Sequence, residues 1–284
     1  MVRIRPADAP MGAEIDGIDL AKPVDDTTFA GLRDALHRHH VLIIRGQRLE
    51  ADKFLAFASR FGRPEPHVLD QYHHPVWPEI LMLSNVRRDD QPIGLADGGT
   101  YWHSDYSYLE VPARATLLYS ITVPKSGGDT LFADQARAYA DLDDATKARI
   151  DDLRALHLYG NRDDLDPVSR LQAHPLAADQ QARNAIRVIT HPLVRRHPVT
   201  GRKALYAVSG TSIGIEGMDD AEALDLLREL AAFSTQPRYQ FRVKYGIGDV
   251  VVWDNASVLH SATLTDPGDA RTLLRITTKE AARP

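Results

Sequence analysis

The stretch Gly248-Asp249-Val250-Val251-Val252-Trp253-Asp254-Asn255-Ala256-Ser257-Val258-Leu259-His260, with Arg271-Thr272-Leu273-Leu274-Arg275-Ile276-Thr277 after it, decides the reading of this chain. Gly248-Asp249 supplies a turn, and the apolar run 250–253 is too short for a helix, so it reads as a buried strand. In the second run the two-residue period of a strand places Arg271, Leu273 and Arg275 on one face and Thr272, Leu274 and Ile276 on the other. Two cations therefore point together beside an apolar residue. If that face is interior, both arginines need anions, because an unpaired buried charge is prohibitively costly. The alternatives are a solvated arginine face on an edge strand, or pairing with some of the 39 acidic residues.

Outward from this hairpin the chain repeats short strands separated by Gly and Pro turns. Strand patterns occur at 12–20 (an edge strand and turn), Val41–Ile44, 80–83, 114–123, 130–133 after Gly127-Gly128-Asp129, 204–208 and 239–243. Helices are predicted from Asp25 or Asp26 to about His39, with Phe29, Leu32, Leu36 and His40 as its stripe, and through Phe54, Phe57, Ala58 and Phe61, with Gly62 ending it. A third covers 219–233 with Leu224, Leu227 and Leu230 inward, and 134–156 is a polar helical stretch. The pattern predicts a mainly β fold, a β-sandwich or jelly-roll with flanking helices. Two helices around Val41–Ile44 also suggest a nucleotide-binding α/β unit, but no glycine-rich phosphate loop follows the strand. A single domain over 1–284 is expected, with loop insertions near 64–100 and 160–185 covering a site.

Composition narrows the chemistry. The chain has 284 residues, 43% hydrophobic and 26% charged, the balance of an ordinary globular protein. With 34 Lys and Arg against 39 Asp and Glu and no long basic block, nucleic acid is not an expected partner. There is no cysteine, which excludes disulfides, a thiolate nucleophile, Cys-ligated zinc and iron–sulfur clusters. Any metal must sit on nitrogen and oxygen ligands. Met1-Val2-Arg3-Ile4-Arg5-Pro6 lacks the apolar stretch of a secretory signal and no segment reaches membrane-spanning length, so no membrane association and a cytoplasmic location are expected.

His103-Ser104-Asp105 is a His-x-Asp pair, and in an extended segment residues i and i+2 project to the same side. Among 12 histidines such a pair also arises by chance, and His103 alone reads equally as a satisfied core or turn histidine. Its coincidence with His260 and the paired arginines changes the weight. Two histidines and one carboxylate make the facial set that suits non-haem Fe(II) and leaves three neighbouring positions open. A 2-oxo acid can chelate two of them and O₂ can take the third. A dicarboxylic cosubstrate would need a cation for its far carboxylate, which the planar fork of arginine matches. Tyr106, Tyr108 and Trp102 could line the pocket or simply pack.

These features come with a family resemblance. Arg60-Phe61-Gly62, Trp102-His103-Ser104-Asp105, Ser126-Gly127-Gly128-Asp129-Thr130, His191-Pro192-Leu193-Val194, His197-Pro198, Gly201-Arg202-Lys203 and Trp253-Asp254-Asn255 with His260 resemble the taurine dioxygenase and 2,4-dichlorophenoxyacetate dioxygenase group of Fe(II)/2-oxoglutarate oxygenases over about residues 12–279. The resemblance implies a double-stranded β-helix, the cupin-like jelly-roll. It implies Fe(II) on His103, Asp105 and His260, with 2-oxoglutarate and O₂ as cosubstrates. It further implies Thr130 and Arg271 on the distal carboxylate of 2-oxoglutarate, and Arg275 with His67 on the prime substrate. Tyr106 is expected to join them. Asp254 and Asn255 are expected to steady the turn before His260 rather than bind metal.

The implied reaction hydroxylates a small organic anion, whether sulfonate, sulfate ester, aryloxyalkanoate or other carboxylate, and releases succinate and CO₂. Where the attacked carbon carries O, N or S, the product can lose that heteroatom group. The taurine enzyme carries an Asn-bearing segment upstream of its His-x-Asp where this chain has Gly98-Gly99-Thr100. Together with Ser104 and the Ser126 segment, this points away from taurine and toward the aryloxyalkanoate branch. A homo-oligomer is expected. The rival readings are a non-catalytic jelly-roll that binds or senses an anion, and a zinc hydrolase on the same three ligands, for which Arg271 and Thr130 would have no purpose.

Overall fold

A computed structural model describes residues 2–96, 98–159, 180, 187–266 and 268–279 of the chain. Val250–Asp254 lies in mid-sheet, antiparallel to Val41–Ile44 on one side and to Ala113–Thr122 on the other. A strand covered on both faces has no polar side to show, which is why its sequence runs apolar without alternation. Its side chains still separate by the two-residue period. Val250 and Val252 enter a cluster with Phe29, Leu32, Phe54 and Phe57 from helices Asp26–His39 and Ala51–Ser59. Val251 and Trp253 enter a second cluster with Phe132 and Val258. Leu42 and Ile44 face the helices in the same way, while Val41 and Ile43 face inward.

The large sheet runs Arg3–Pro6, Ala13–Asp16, Val41–Ile44, Val250–Asp254, Ala113–Thr122, Thr272–Lys279, Arg63–Pro64, with Leu81–Ser84 also paired to Thr272–Lys279. A smaller sheet, Gln240–Val243, Thr130–Asp134, Val258–Ala262, packs its inner face onto the large one. Phe132 and Trp253 meet there with ring centroids 5.4 Å apart. The outer face of the smaller sheet is covered by a third cluster. It joins Ala133 and Leu259 to Leu226, Leu227 and Leu230 of helix Asp220–Ser234 and to Ala155, Leu205 and Ile215. The molecule is thus mostly β with some helices, two sheets face to face between helical layers.

Helix Asp26–His39 starts as expected, Asp25 accepting from the Thr28 amide. The stretch 134–156 does not form one helix. Asp134 and Asp143 each cap a separate short helix, Gln135–Ala140 and Asp144–Ile150, and Arg154–His157 is a strand held on both sides by Ile189–Pro192 and Ser212–Ile215. In helix Asp220–Ser234 the buried stripe is Ala223, Leu226, Leu227 and Leu230, so Leu226 takes the place expected of Leu224. Gly62 does not end its helix, which closes at Ser59; a Cβ on Gly62 would lie 2.4 Å from the Lys279 carbonyl, so its absence lets two backbones meet. The loop 160–185 lies, apart from residue 180, outside the described residues. Among the described residues no helix is long and apolar enough to cross a membrane.

Candidate functional site

His260 sits on Val258–Ala262, opposite Phe132 of the neighbouring strand. Its backbone exchanges two hydrogen bonds with His103, N–H to carbonyl at 3.0 and 2.9 Å, and the imidazole centroids lie 4.1 Å apart. His103 is therefore an isolated bridge rather than part of a strand, and the chain turns after it, with Tyr106 in the left-handed region at φ 53°. His103 keeps the paired backbone of a bridge and the turn begins at Asp105, so the two side chains converge as the His-x-Asp spacing predicts. Asn255 holds that turn: its carbonyl accepts from the Ser104 hydroxyl at 3.1 Å and its side-chain oxygen from the Asp105 amide at 3.4 Å.

The result is a compact set. His103 Nε2 lies 3.7 Å from Asp105 Oδ1, and His260 Nε2 lies 3.6 Å from Asp105 Oδ2. One ligating atom from each residue falls within 4.8 Å of the others. Metal–ligand bonds of about 2.0–2.2 Å place ligand atoms about 3 Å or more from one another around an ion, so the set fits a single ion with little adjustment. His103 Nδ1 faces the Tyr101 carbonyl at 2.8 Å and must carry the proton, which leaves Nε2 as a lone pair. Burial lowers the pKa of both His103 and His260, favouring the neutral form that binds a metal. Burial alone would raise the Asp105 pKa, but the Arg275 guanidinium, His260, His103 and the Thr116 hydroxyl hold it below the usual carboxylate range.

Glycines flank His103. A Cβ on Gly99, at φ +74°, would stand 2.7 Å from His103 Cε1, and one on Gly210, at φ +81°, 2.7 Å from His103 Cβ. Behind Asp105 runs a relay without a sequence signature. Thr116 Oγ1 donates to Asp105 Oδ2 at 2.6 Å, and Asn255 Nδ2 donates to Thr116 Oγ1 at 2.9 Å.

A second buried trio, His37, His197 and Asp254, also has ligating atoms within 4.8 Å of one another. Its atoms are already engaged. His197 Nδ1 accepts from the Val199 and Thr200 amides, its Nε2 donates to Asp254 Oδ2 at 2.7 Å, and Asp254 Oδ1 accepts from the Ala256 amide. Arg114 approaches His37 Nε2 at 3.3 Å, bringing a cation where a metal would have to sit. The trio closes the turn 254–257 that precedes His260, the structural role expected of Asp254.

Two cavities meet at His103, Gly99 and Arg275. One is lined by Thr130, Arg271, His260 and Trp253. Thr130 opens its strand after Gly127 and Gly128, both at positive φ, and a Cβ on Gly128 would meet Arg271 Cδ at 2.9 Å. Arg271, 6% exposed, donates from Nε to the Gly128 carbonyl and from its amide to Asn85 Oδ1. The other cavity is lined by His67, Tyr101, Tyr106, Tyr108, Tyr159 and Arg275. Tyr106 donates to the Glu65 carbonyl, and the buried Tyr108 hydroxyl has no hydrogen-bond partner among the described residues. Arg275 meets Asp105 Oδ1 at 2.5 Å. His67, Leu95, Gly98 and Gly99 come from the insertion 64–100. Trp102 packs against the outer cluster instead. Sequence reasoning brought out neither Thr116, Tyr101 and Tyr159 nor Tyr245, whose hydroxyl lies 2.8 Å from Thr130 Oγ1.

Comparison with known proteins agrees over nearly the whole length. The family described as "Taurine catabolism dioxygenase TauD, TfdA family" matches residues 3–277. The chain is 32% identical over 280 residues to the alpha-ketoglutarate-dependent 2,4-dichlorophenoxyacetate dioxygenase of Cupriavidus pinatubonensis, covering 95% of each. It is 30% identical over 282 residues to the alpha-ketoglutarate-dependent sulfate ester dioxygenase of Pseudomonas putida, covering 96% of this chain and 88% of that one. Among solved structures it superposes on AAD-2 in complex with Mn(II) and N-oxalylglycine, with TM-score 0.82, 28% identity, and 99% and 98% of the two chains covered. A taurine dioxygenase from Burkholderia xenovorans gives TM-score 0.79 and 30% identity, covering 99% of this chain and 90% of that one.

Proposed function

The chain belongs to the TauD/TfdA family of dioxygenases, and from that membership and the geometry of its buried site we propose that it oxidises a small organic anion pinned by Arg275, with its metal on His103, Asp105 and His260. It is an Fe(II)- and 2-oxoglutarate-dependent dioxygenase. The observation that carries the residue assignment is the convergence of two neutral imidazoles and one ionised carboxylate between two arginine-bearing cavities. A protein that only binds an anion needs no such set.

Fe(II) with bound 2-oxoglutarate supplies the activation of O₂ that couples decarboxylation to succinate and CO₂ with oxidation of a substrate C–H bond. The protein's part is placement. Arg271 and the Thr130 hydroxyl receive the distal carboxylate of 2-oxoglutarate, the guanidinium supplying charge and the hydroxyl a directed proton. Arg275 receives the anionic end of the prime substrate and exchanges its present contact with Asp105 for it. His67 and Tyr106 line the same cavity and set the direction in which the substrate's carbon skeleton leaves that anion. The fold is a double-stranded β-helix of the cupin type forming one domain, with 64–100 as a covering insertion. A cytoplasmic homo-oligomer accords with the reading.

The deciding experiment presents Fe(II)-reconstituted protein with sulfonates, sulfate esters, aryloxyalkanoates and simple carboxylates, scoring substrate-dependent succinate. One or more anions should stimulate succinate formation in the wild type, and Arg275→Gln should lose that stimulation. Neutral compounds outperforming every anion would overturn the role of Arg275. Wild-type iron binding and turnover in His260→Ala would overturn the metal assignment.

A further inference from the structure

We propose that Tyr245 is a positioning residue for the cosubstrate, setting the direction of the Thr130 hydroxyl so that its proton points at the distal carboxylate of 2-oxoglutarate. The inference rests on the reading of Thr130 and Arg271 as that carboxylate's site. Tyr245 lies between the strands Gln240–Val243 and Val250–Asp254, and its hydroxyl is 2.8 Å from Thr130 Oγ1. Thr130 is 3% exposed and lines the cavity that also holds Arg271 and His260. Tyr245 is not among the residues lining that cavity, so it reaches the cosubstrate only through Thr130.

A threonine hydroxyl has one proton and two lone pairs, and an ionised carboxylate only accepts. Thr130 can serve the carboxylate only by giving it that single proton. An acceptor behind Thr130 would compete for the proton; a donor there would instead fill a lone pair and leave the proton directed into the cavity. Tyr245 is such a donor. Burial pushes its pKa up to about 12, with Asp129 and Asp249 adding to the effect while the Thr130 bond and Arg271 oppose it, so the phenol stays protonated throughout the working pH range. The series Tyr245 O–H to Thr130 Oγ1, then Thr130 O–H to carboxylate, polarises in one direction, and each bond strengthens the other. Arg271 provides the charge, while the Tyr245–Thr130 pair makes the site discriminate a 2-oxo dicarboxylate from a 2-oxo acid that ends in a methyl group.

The test is calorimetric binding to the full-length Mn(II)-loaded protein under anaerobic conditions. The two probes are 2-oxoglutarate and 2-oxopentanoate, which has the same chain without the distal carboxylate. Tyr245→Phe keeps the ring and removes the hydroxyl. It should weaken 2-oxoglutarate about fivefold to tenfold, the worth of one hydrogen bond in a polarised pair, and leave 2-oxopentanoate unchanged. In turnover KM for 2-oxoglutarate should rise with kcat held. Thr130→Val should produce a similar loss and abolish any further effect of Tyr245→Phe, whereas Thr130→Ser, which keeps the hydroxyl, should preserve that effect. Equal losses for both acids, unaltered 2-oxoglutarate binding, or independent losses in the Thr130→Val/Tyr245→Phe double variant would each overturn the proposal. If Arg271→Gln binds 2-oxoglutarate as the wild type does, the carboxylate site itself is misassigned, and the proposal falls with it.

Discussion

Replacing Thr116 by Val probes the support behind Asp105, the proposed carboxylate ligand, without replacing any residue that lines the cavities. Thr116 is fully buried and its hydroxyl is shared, given to Asp105 Oδ2 at 2.6 Å and receiving the Asn255 side-chain amide at 2.9 Å. Valine fills the same volume with a methyl group, so the change is almost purely polar. The lost bond ends on an ionised carboxylate and is worth about 1.5–3 kcal/mol. The Asn255 amide loses its acceptor in a buried setting, adding about 1–3 kcal/mol. Thr116→Val should therefore lose about 2.5–6 kcal/mol in urea denaturation of the metal-free protein. Anaerobic Fe(II) titration should show affinity reduced about 10–100-fold, the usual effect of removing a residue that orients a ligand. Thr116→Ser retains the hydroxyl and should keep metal affinity within about threefold of wild type. A Thr116→Val protein that unfolds and binds iron like the wild type would show that the relay from Asn255 through Thr116 orients nothing.

Three further outcomes follow from individual residues. Gly99→Ala should weaken metal binding sharply, because the new Cβ at 2.7 Å from His103 Cε1 displaces the imidazole and the backbone is held at φ +74°; unchanged Fe(II) affinity would refute it. Tyr108→Phe removes a buried hydroxyl that has no partner among the described residues and should raise stability by about 1 kcal/mol. A fall in the thermal midpoint would count against that. Burial depresses His157 from 6.5 to about 3, so as pH falls from 6.5 the unfolded chain takes up a proton that the folded state refuses. Stability is then lost with acidification over that window at about 1.4 kcal/mol per pH unit. Urea midpoints for His157→Phe should show a correspondingly shallower pH dependence; identical slopes would exclude His157 as the source.

Much of the fold was legible because its strands announce themselves locally. Val41–Ile44 and the run Val250 to Trp253 are apolar because both faces are buried, and Asp25 signals the start of its helix. The failures came where a local pattern fitted two structures. The polar stretch 134–156 carries helical spacing, yet two aspartate caps divide it and distant strands claim Arg154–His157. Arg3–Pro6, exposed along its length, shows no apolar signal and is a strand because Ala13–Asp16 offers it an edge.

At the site, the sequence by itself singled out His103, Asp105, His260, Arg271 and Arg275, through their chemistry together with the family resemblance of the motifs that carry them. Only the tertiary structure decided how they meet. The turn after His103, the closed hydrogen bonding of His37, His197 and Asp254, and the hydroxyls of Thr116 and Tyr245 all depend on contacts between residues far apart in the chain. A side chain's chemical type is written at its own position. The direction of its proton or lone pair is set by whatever the fold brings against it, and no local spacing encodes that neighbour.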